Sequence, residues 1–460
     1  MKKTRVEKDF LGELPVPEDA YYGAHTQRSF LNFPISGQRL HSTLIDGIVY
    51  VKKAAAKANA DLGKLDLLKS DAIIQSCEDI LAGKFRDQFI VDVFQMGAGT
   101  SFHMNCNEVL ANRAEEILGG SKGQYRLIHP NDHVNMGQST NDVFPTAMRL
   151  GILFLFKNVF FVSLDGLTHS FLKKAKEFDP VLKSGRTHLQ DAAPIRLGQE
   201  FKAYGISLKK CGEFLTIASR SLFSLGIGGN AVGTGLNTSP EYADKVVKYL
   251  TEWTGFDLSP AEDLKEAMQS MRPMAEVSGG LRNLALELTR ITNDLRLLSS
   301  GPKTGLAEIL LPPVAPGSSA MPGKVNPSML EMLNMVCYQV IGCDLVVSGA
   351  VQAGQLELNV MMPVIAFNIC FMIEILSHAM AEVKKRCIDG ILANVDRCQH
   401  YAEESLALAT ALSPYIGYAK ASEVAKEAFR TGKSIASVTE DKGLLSPDKI
   451  KEILDPKNMT

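Results

Sequence analysis

The most regular feature of this chain is one long stripe of apolar residues near its middle. Apolar positions alternate there at spacings of four and three, through Val277, Leu281, Leu284, Leu288, Ile291, Leu295 and Leu298. This spacing places the residues along one side of an α-helix that packs against other helices. Leu286 and Leu297 lie off the stripe, which predicts a helix that is buried on more than one side.

Four further long helices are predicted, over residues 145–176, 194–225, 327–353 and 363–389. Pro194 and Pro327 suit the first turn of their helices, where the N–H group that proline lacks would have no partner. Strand patterns are few and short, so we predict an all-α fold. We expect an N-terminal helical domain (1–140), a central long-helix bundle domain (141–391) and a small C-terminal helical domain (392–460).

The apolar surface of the long helices exceeds what one bundle can cover. We therefore expect helices of other subunits to complete the core. The most apolar run, residues 150–164, is interrupted by Lys157 and Asn158 and is shorter than the ~20 residues of a membrane span. It predicts a buried core helix and no membrane partner. No apolar segment typical of a secretory signal follows the first lysines, so we expect a cytoplasmic protein.

Charge and cysteine spacing exclude several classes of function. The net charge is −2 at pH 7 and no basic run is long, which argues against a nucleic-acid partner. The eight cysteines contain no C-x-x-C pair, and we expect most of them to be small core residues. Neither H-E-x-x-H nor clustered Asp and Cys ligands occur, so no metal site is predicted.

Four polar blocks separate the predicted helices. They are residues 97–101 (GAGTS), 137–142 (GQSTND), 185–191 (GRTHLQD) and 317–327 (GSSAMPGKVNP). Each block alone has an ordinary structural explanation, such as helix capping by Ser139. All four, however, are rich in neutral hydrogen-bond donors, and two precede predicted helix N-termini. Helix N-termini attract anions, so two of them together with Lys324 suit a small dianion.

The block at 317–327 resembles the signature loop of the aspartase/fumarase superfamily, and the resemblance extends over nearly the whole chain. Residues 19–23 (DAYYG), 105–109 (NCNEV), 233–237 (GTGLN) and 357–360 (ELNV) are also similar to that superfamily. Ser139 and Thr140 stand before Asn141-Asp142, where class II fumarases typically have a serine pair, so the chain looks closer to the aspartase branch. It departs from the family pattern at His103, Lys303, Ala320 and Met362, where asparagine, arginine, isoleucine and glutamate are usual.

The resemblance implies the reversible deamination of L-aspartate to fumarate and ammonia, catalysed by a homotetramer whose active sites combine three chains. It implies that Ser318 is the catalytic base and that His188 assists the leaving amine. Glu331 would pair with His188 of another chain.

The resemblance also implies a set of substrate-binding residues. A clamp on the β-carboxylate is expected from Thr100, Ser139, Thr140 and Ser319. Lys324 and Asn326 are expected to bind the α-carboxylate. Asn141, Thr187 and His188 are expected to surround the amine. Met321 is also expected to belong to the substrate-binding residues. No cofactor is expected to be required, and activation by a divalent cation stays open.

Two other interpretations stay open at this point. The first is a class II fumarate hydratase, which would use the same clamp and base with water in place of ammonia. The second is a structural homotetramer that has lost its activity. The presence of Ser318, His188 and Lys324 argues against the second.

Overall fold

The computed structural model of the protein describes residues 3–460 and, of residues 456 and 457, only the backbone. Short strands form four two-stranded sheets. The strands are β1 (Thr4–Asp9), β2 (Gly12–Pro17), β3 (Leu182–Thr187), β4 (Gln190–Arg196), β5 (Ser224–Leu225), β6 (Ser259–Pro260), β7 (Ile309–Leu310) and β8 (Leu392–Ala393). The pairs are β1–β2, β3–β4, β5–β6 and β7–β8, and only β5–β6 is parallel.

Helices make up most of the chain, which confirms the all-α prediction. The first nine are α1 (Ala24–Asn32), α2 (Ser42–Asp61), α3 (Leu67–Leu81), α4 (Thr100–Ile117), α5 (Thr140–Leu155), α6 (Phe161–Glu177), α7 (Leu197–Ser219), α8 (Tyr242–Thr254) and α9 (Leu264–Gln269). The other eight are α10 (Arg272–Leu298), α11 (Ser328–Gln352), α12 (Met362–Arg386), α13 (Val395–Glu404), α14 (Ala409–Ile416), α15 (Tyr418–Thr431), α16 (Ile435–Asp441) and α17 (Pro447–Ile453).

The apolar stripe lies on α10 as predicted. Its seven residues are at most 7% exposed, and five of them at most 1%. Leu286 and Leu297, in contrast, are 51% and 41% exposed in this single chain. Burial of α10 on more than one side therefore stays a prediction for the assembled protein. Seven of the eight cysteines are buried, as expected, and Cys211 is half-buried.

The predicted start of one helix was wrong. Pro194 lies in β4, opposite Ser184 of β3, and α7 begins only at Leu197. A two-stranded sheet tolerates proline because its strands are both edges, where the missing N–H group need not serve a second neighbour. Pro327, by comparison, immediately precedes α11, which runs from Ser328 to Gln352 as the periodicity predicted.

Two compact units divide the described chain. The first comprises the residues up to Phe161 together with Glu213–Asn283 and Tyr338–Leu376. In its core α2 packs against α3, α5 and α8. The second comprises Val162–Gly212, Leu284–Cys337 and Ser377–Thr460, and its C-terminal helices α14–α17 enclose an apolar cluster of their own. The division into three domains at 140 and 391 stays a prediction.

Among the residues that the structure describes, three helical segments are long and apolar enough to cross a membrane by length and composition. They are Thr140–Glu177, Ser328–Gln352 and Met362–Gly390. The apolar run at 150–164 is thus part of a 38-residue helix, so its short length was a poor criterion for excluding a span. Between 44% and 61% of the most apolar window of each segment is buried within the chain.

Candidate active site

The N-terminus of α5 presents three of the predicted substrate-binding residues. Ser139 caps the helix: its hydroxyl accepts a hydrogen bond from Asn141 N at 3.3 Å, and Ser139 N donates to Asp142 Oδ1 at 2.9 Å. This reciprocal pattern is a capping box, which satisfies N–H groups that the first helical turn leaves unpaired. Thr140 is the first helical residue, so its side chain stands at the positive end of the helix dipole.

Asp142 fixes this helix end to the glycine-rich segment that follows β5. Its Oδ2 accepts hydrogen bonds from Gly228 N at 3.0 Å and Asn230 N at 2.9 Å, and the carboxyl is fully buried. Burial raises the pKa of Asp142 to about 6, although its backbone donors act in the opposite direction. Asn141 Nδ2 also donates to Ala231 O at 2.8 Å. The glycine-rich segment therefore braces the α5 N-terminus.

Thr100 begins α4, and a close backbone approach places that helix end against α5. Gly99 has φ +86° and lies so near the Phe144 ring that a Cβ at this position would overlap it. The rings of Phe102 and Phe144 make an edge contact at 6.1 Å between centroids. The first unit therefore holds Thr100, Ser139, Thr140 and Asn141 at the N-terminal ends of two helices that pack against each other.

The loop at 317–327 belongs to the second unit and is closed by backbone hydrogen bonds. Gly317 N donates to Lys324 O at 2.8 Å, and Asn326 Nδ2 donates to Gly317 O at 2.6 Å. Gly317 allows this closure, because a Cβ there would lie 2.5 Å from Lys324 O. Gly323 has φ +78°, a conformation that glycine adopts at little cost.

Ser318 Oγ is held by two backbone donors of this loop. It accepts hydrogen bonds from Ala320 N at 3.1 Å and Met321 N at 2.9 Å. Two donors aimed at one oxygen favour its ionised form, because hydrogen bonds to a developing charge are stronger than those to a neutral atom. A serine that serves as a base needs such an environment.

The remaining loop residues are accessible to a ligand. Ser319, Met321 and Lys324 are exposed, and among residues 3–460 no acidic side chain forms an ion pair with Lys324. Asn326 is half-buried and uses one amide hydrogen to close the loop. Glu331 lies in the first turn of α11, where it is half-buried.

Thr187 and His188 lie in the hairpin between β3 and β4, so their block joins strands and not helices. Thr187 pairs with Gln190, which leaves His188 and Leu189 as a two-residue turn. Their φ angles are +54° and +59°, a combination for which asparagine and glycine are favoured. Non-glycine residues in this region are strained by roughly 1 kcal/mol each, and such strain is often found at functional sites. The turn projects His188 into solvent.

A buried ionic cluster anchors the base of the hairpin within the second unit. Glu308, which is fully buried, binds Arg186 Nη1 at 2.9 Å and Lys183 Nζ at 3.2 Å. Lys183 Nζ also binds Glu200 Oε1 at 2.8 Å. Buried ion pairs hold their partners in one geometry because an unpaired charge in the interior is costly. The cluster therefore fixes Arg186, the residue that precedes Thr187 and His188.

The structure adds two residues that the sequence did not assign to the site. His103 Nδ1 lies 2.6 Å from Thr140 Oγ1, and His103 Nε2 lies 2.6 Å from Lys52 Nζ. All three residues are at most 9% exposed. The sequence of α2 could have indicated a role for Lys52, since this lysine follows Ile45 and Ile48 on an apolar helix face, where a lysine is unusual.

Each unit thus holds part of the predicted site. The first unit contains Thr100, Ser139, Thr140 and Asn141, and the second contains the loop, the hairpin and Glu331. Within the described part of the chain, no three His, Cys, Asp or Glu side chains are grouped so that they could hold a metal ion. A cavity of about 730 Å³ in the second unit, between α6 and α7, contains none of the predicted site residues.

Two family matches cover most of the chain. Residues 12–342 match the family described as lyase, and residues 408–460 match the family described as fumarase C C-terminus. Among curated proteins, aspartate ammonia-lyase of Bacillus subtilis (strain 168) is 47% identical over 459 residues, which covers 100% of this chain and 96% of the relative. Aspartate ammonia-lyase of Escherichia coli (strain K12) is 46% identical over 459 residues, which covers 99% and 96%.

Solved structures share the fold. A fumarate lyase:delta crystallin from Brucella melitensis bound to cobalt has a TM-score of 0.96 at 47% identity, covering 99% of both chains. A class II fumarase from Schistosoma mansoni has a TM-score of 0.96 at 37% identity, also covering 99% of both chains. The fold is therefore shared with a protein named as a fumarase, so the fold alone does not select the reaction.

Proposed function

The chain belongs to the lyase family, and we propose on that premise that it catalyses the reversible deamination of L-aspartate to fumarate and ammonia. The observation that carries this proposal is identity of 44–47% over at least 99% of the chain to eight curated relatives, all named aspartate ammonia-lyase. Identity to the fumarase with the same fold is lower, at 37%.

Proton removal is the demanding step of this reaction. Ser318 Oγ takes the proton from the carbon next to the β-carboxylate, and the electron pair of that C–H bond moves into the carboxylate. The two backbone N–H groups that point at Ser318 Oγ support this role, since they stabilise the oxygen as an anion before it accepts the proton.

The carboxylate that receives the electrons needs donors that are already in place. The α5 N-terminus supplies them through Ser139 and Thr140. Thr100 joins them from the neighbouring helix end once its hydroxyl turns away from Gly97 O, to which it donates at 3.2 Å. Preorganised donors accelerate such a step because they need not reorient as charge develops. Ser319 contributes from the loop, while exposed Lys324 and half-buried Asn326 hold the α-carboxylate.

The second step breaks the C–N bond. The electrons held on the carboxylate return to form the carbon–carbon double bond, and the protonated amine departs as neutral ammonia. Asn141, Thr187 and His188 surround the amine, and Met321 contacts the substrate from the loop. Glu331 orients His188 of another chain. The strained, exposed turn that presents His188 supports this assignment.

We further propose a homotetramer, located in the cytoplasm, whose active sites combine several chains. Its support is the exposed apolar surface of the long helices. On α11, Met335, Tyr338 and Leu345 are 69%, 57% and 75% exposed, and α10 exposes Leu286. Contiguous exposed apolar surface marks association sites. No cofactor is required in this proposal, and a divalent cation is left as a possible activator.

The test mixes the purified protein with fumarate and ammonium and follows the loss of fumarate absorbance. A parallel reaction without ammonium is the control. We expect loss only with ammonium, at a rate several orders of magnitude above hydration, because sites for ammonia and for water need different donor–acceptor patterns. Malate formation at a comparable rate without ammonium would instead establish the hydratase, and inactivity in both reactions the structural tetramer.

A further inference from the structure

A buried chain of polar contacts leads inward from Thr140 in the first unit. Thr140 Oγ1 lies 2.6 Å from His103 Nδ1, and His103 Nε2 lies 2.6 Å from Lys52 Nζ. His103 is 1% exposed and Lys52 is fully buried. Because His103 and Lys52 are shielded from bulk water and have few partners, their hydrogens can be assigned by counting.

The other two partners of Lys52 can only be acceptors. Lys52 Nζ donates to Asn135 Oδ1 at 2.9 Å and to Gln138 Oε1 at 2.8 Å. Asn135 Nδ2 donates to Gln138 O, and Gln138 Nε2 donates to Val134 O and Met136 O. These bonds to carbonyls fix both amide groups with their oxygens toward Lys52.

Below about pH 7, where Lys52 is protonated, the count determines the tautomer of His103. A protonated lysine has three N–H donors, and three groups surround Nζ. Two are the amide oxygens, so the third hydrogen goes to His103 Nε2, which must then be unprotonated. Burial and the neighbouring Lys52 lower the pKa of His103 well below its usual value, so the ring is neutral. Its one hydrogen is therefore on Nδ1, facing Thr140 Oγ1.

We propose that His103 is a positioning residue for Thr140, whose oxygen accepts the His103 Nδ1 hydrogen so that the hydroxyl hydrogen points out to the substrate carboxylate. This inference rests on the proposed function, which places Thr140 in the β-carboxylate clamp. A hydroxyl can otherwise rotate and donate to either side. Lys52 acts one step further back, because its hydrogen keeps His103 in the required tautomer.

The arrangement matters for catalysis because a donor that is already aligned loses no energy in reorientation as the carboxylate gains charge. The opposite arrangement needs a neutral Lys52 and a hydrogen on His103 Nε2. In that case Thr140 would donate to His103 Nδ1, and the clamp would lose a donor.

A double-mutant cycle tests the coupling between the two side chains. His103→Leu removes the donor to Thr140, and Thr140→Val removes the hydroxyl while keeping the shape. We expect His103→Leu to lower kcat/KM for aspartate about 10-fold or more in the otherwise unchanged protein. In the Thr140→Val background the same change should cost less than about 3-fold. Equal losses in both backgrounds would overturn the proposal.

His103→Asn is the matched control, since asparagine keeps an N–H donor near the position of Nδ1. It should retain activity within about 3-fold of the unchanged protein, whereas a loss as large as that of His103→Leu would count against a positioning role. Thermal melting and light scattering verify that each variant keeps its fold and assembly. If His103→Leu does not fold, the asparagine variant and the measurement below decide the question.

Nitrogen-15 NMR of histidine-labelled protein in the solid state reads the tautomer directly. Spectra are taken below the pKa of Lys52, which burial lowers to about 7, and the His103 signals are those that His103→Asn removes. A hydrogen on Nδ1 is expected, and a hydrogen on Nε2 would refute the assignment. This result is independent of the reaction. If the unchanged protein does not deaminate aspartate, the proposed function fails while the hydrogen-bond assignment is still decided.

Discussion

Replacing Ser318 by alanine separates its chemical role from its structural one. The substitution removes one hydroxyl oxygen, which accepts hydrogen bonds from Ala320 N and Met321 N in a loop that is largely exposed. Water can replace that oxygen as the acceptor, so the change should cost at most about 1 kcal/mol of stability. The closing bonds of the loop, from Gly317 N and Asn326 Nδ2, do not involve Ser318.

The effect on turnover should be much larger. If Ser318 Oγ takes the proton, its loss leaves no group at that position, and kcat should fall by at least ~10³, which corresponds to about 4 kcal/mol in the activation free energy. Fumarate should still bind, because Thr100, Ser139, Thr140 and Lys324 remain. A loss of at most about 1 kcal/mol in stability beside a rise of about 4 kcal/mol in activation free energy would identify a chemical role for Ser318.

The assay compares Ser318→Ala with Ser319→Ala, its neighbour on the same loop. Initial rates of fumarate formation give kcat and KM, calorimetry gives fumarate binding, and thermal melting gives stability. Ser319→Ala should raise KM more than it lowers kcat, since Ser319 is assigned to carboxylate binding. Near-normal turnover of a folded Ser318→Ala protein would refute the assignment, and His188 would then be the next candidate for the base.

Three further predictions concern binding, assembly and pH. Lys324→Ala should raise KM for aspartate at least 10-fold, as expected when a charged partner of a carboxylate is lost, and an unchanged KM would show that Lys324 does not contact substrate. Light scattering should give a tetramer, and a stable, active monomer would contradict the shared sites. Burial lowers the pKa of Lys52 from 10.5 to about 7. The unfolded chain therefore binds more protons between these values, and stability should rise with pH there by up to about 1.4 kcal/mol per unit. Denaturation curves of Lys52→Met should lack this rise in stability with pH. The same dependence of stability on pH in Lys52→Met and in the unchanged protein would contradict the prediction.

Much of the helical framework could be predicted from local patterns. The stripe on α10 is buried because its spacing matches the helical repeat, and α11 and α12 begin and end within a few residues of the predicted positions. The cap at Ser139 was also readable, since a serine followed three residues later by an acid forms a capping box through contacts within one turn. Such features depend on neighbours in sequence.

Local patterns failed where distant segments compete. Residues 194–196 were assigned to the start of a helix because Pro194 suits a first turn, yet they belong to β4, which pairs with β3 across a two-residue turn. That pairing satisfies the backbone of both strands together, which no property of residues 190–196 alone reveals. The same pairing places His188 at a strained, exposed position in the turn. The polar block at 185–191 therefore joins two strands and not two helices.

The sequence by itself determined the fold class, the family and the set of polar residues available for chemistry, because these follow from periodicity and from motifs that are contiguous in the chain. The tertiary structure alone decided which of those residues meet. Lys52, His103 and Thr140 come from three helices, and only the packing of α2, α4 and α5 brings them together. The distance is 2.6 Å both from Lys52 Nζ to His103 Nε2 and from His103 Nδ1 to Thr140 Oγ1. Hydrogen-bond direction depends on every partner of each buried group, so it can be assigned only when all of those partners have been placed in space.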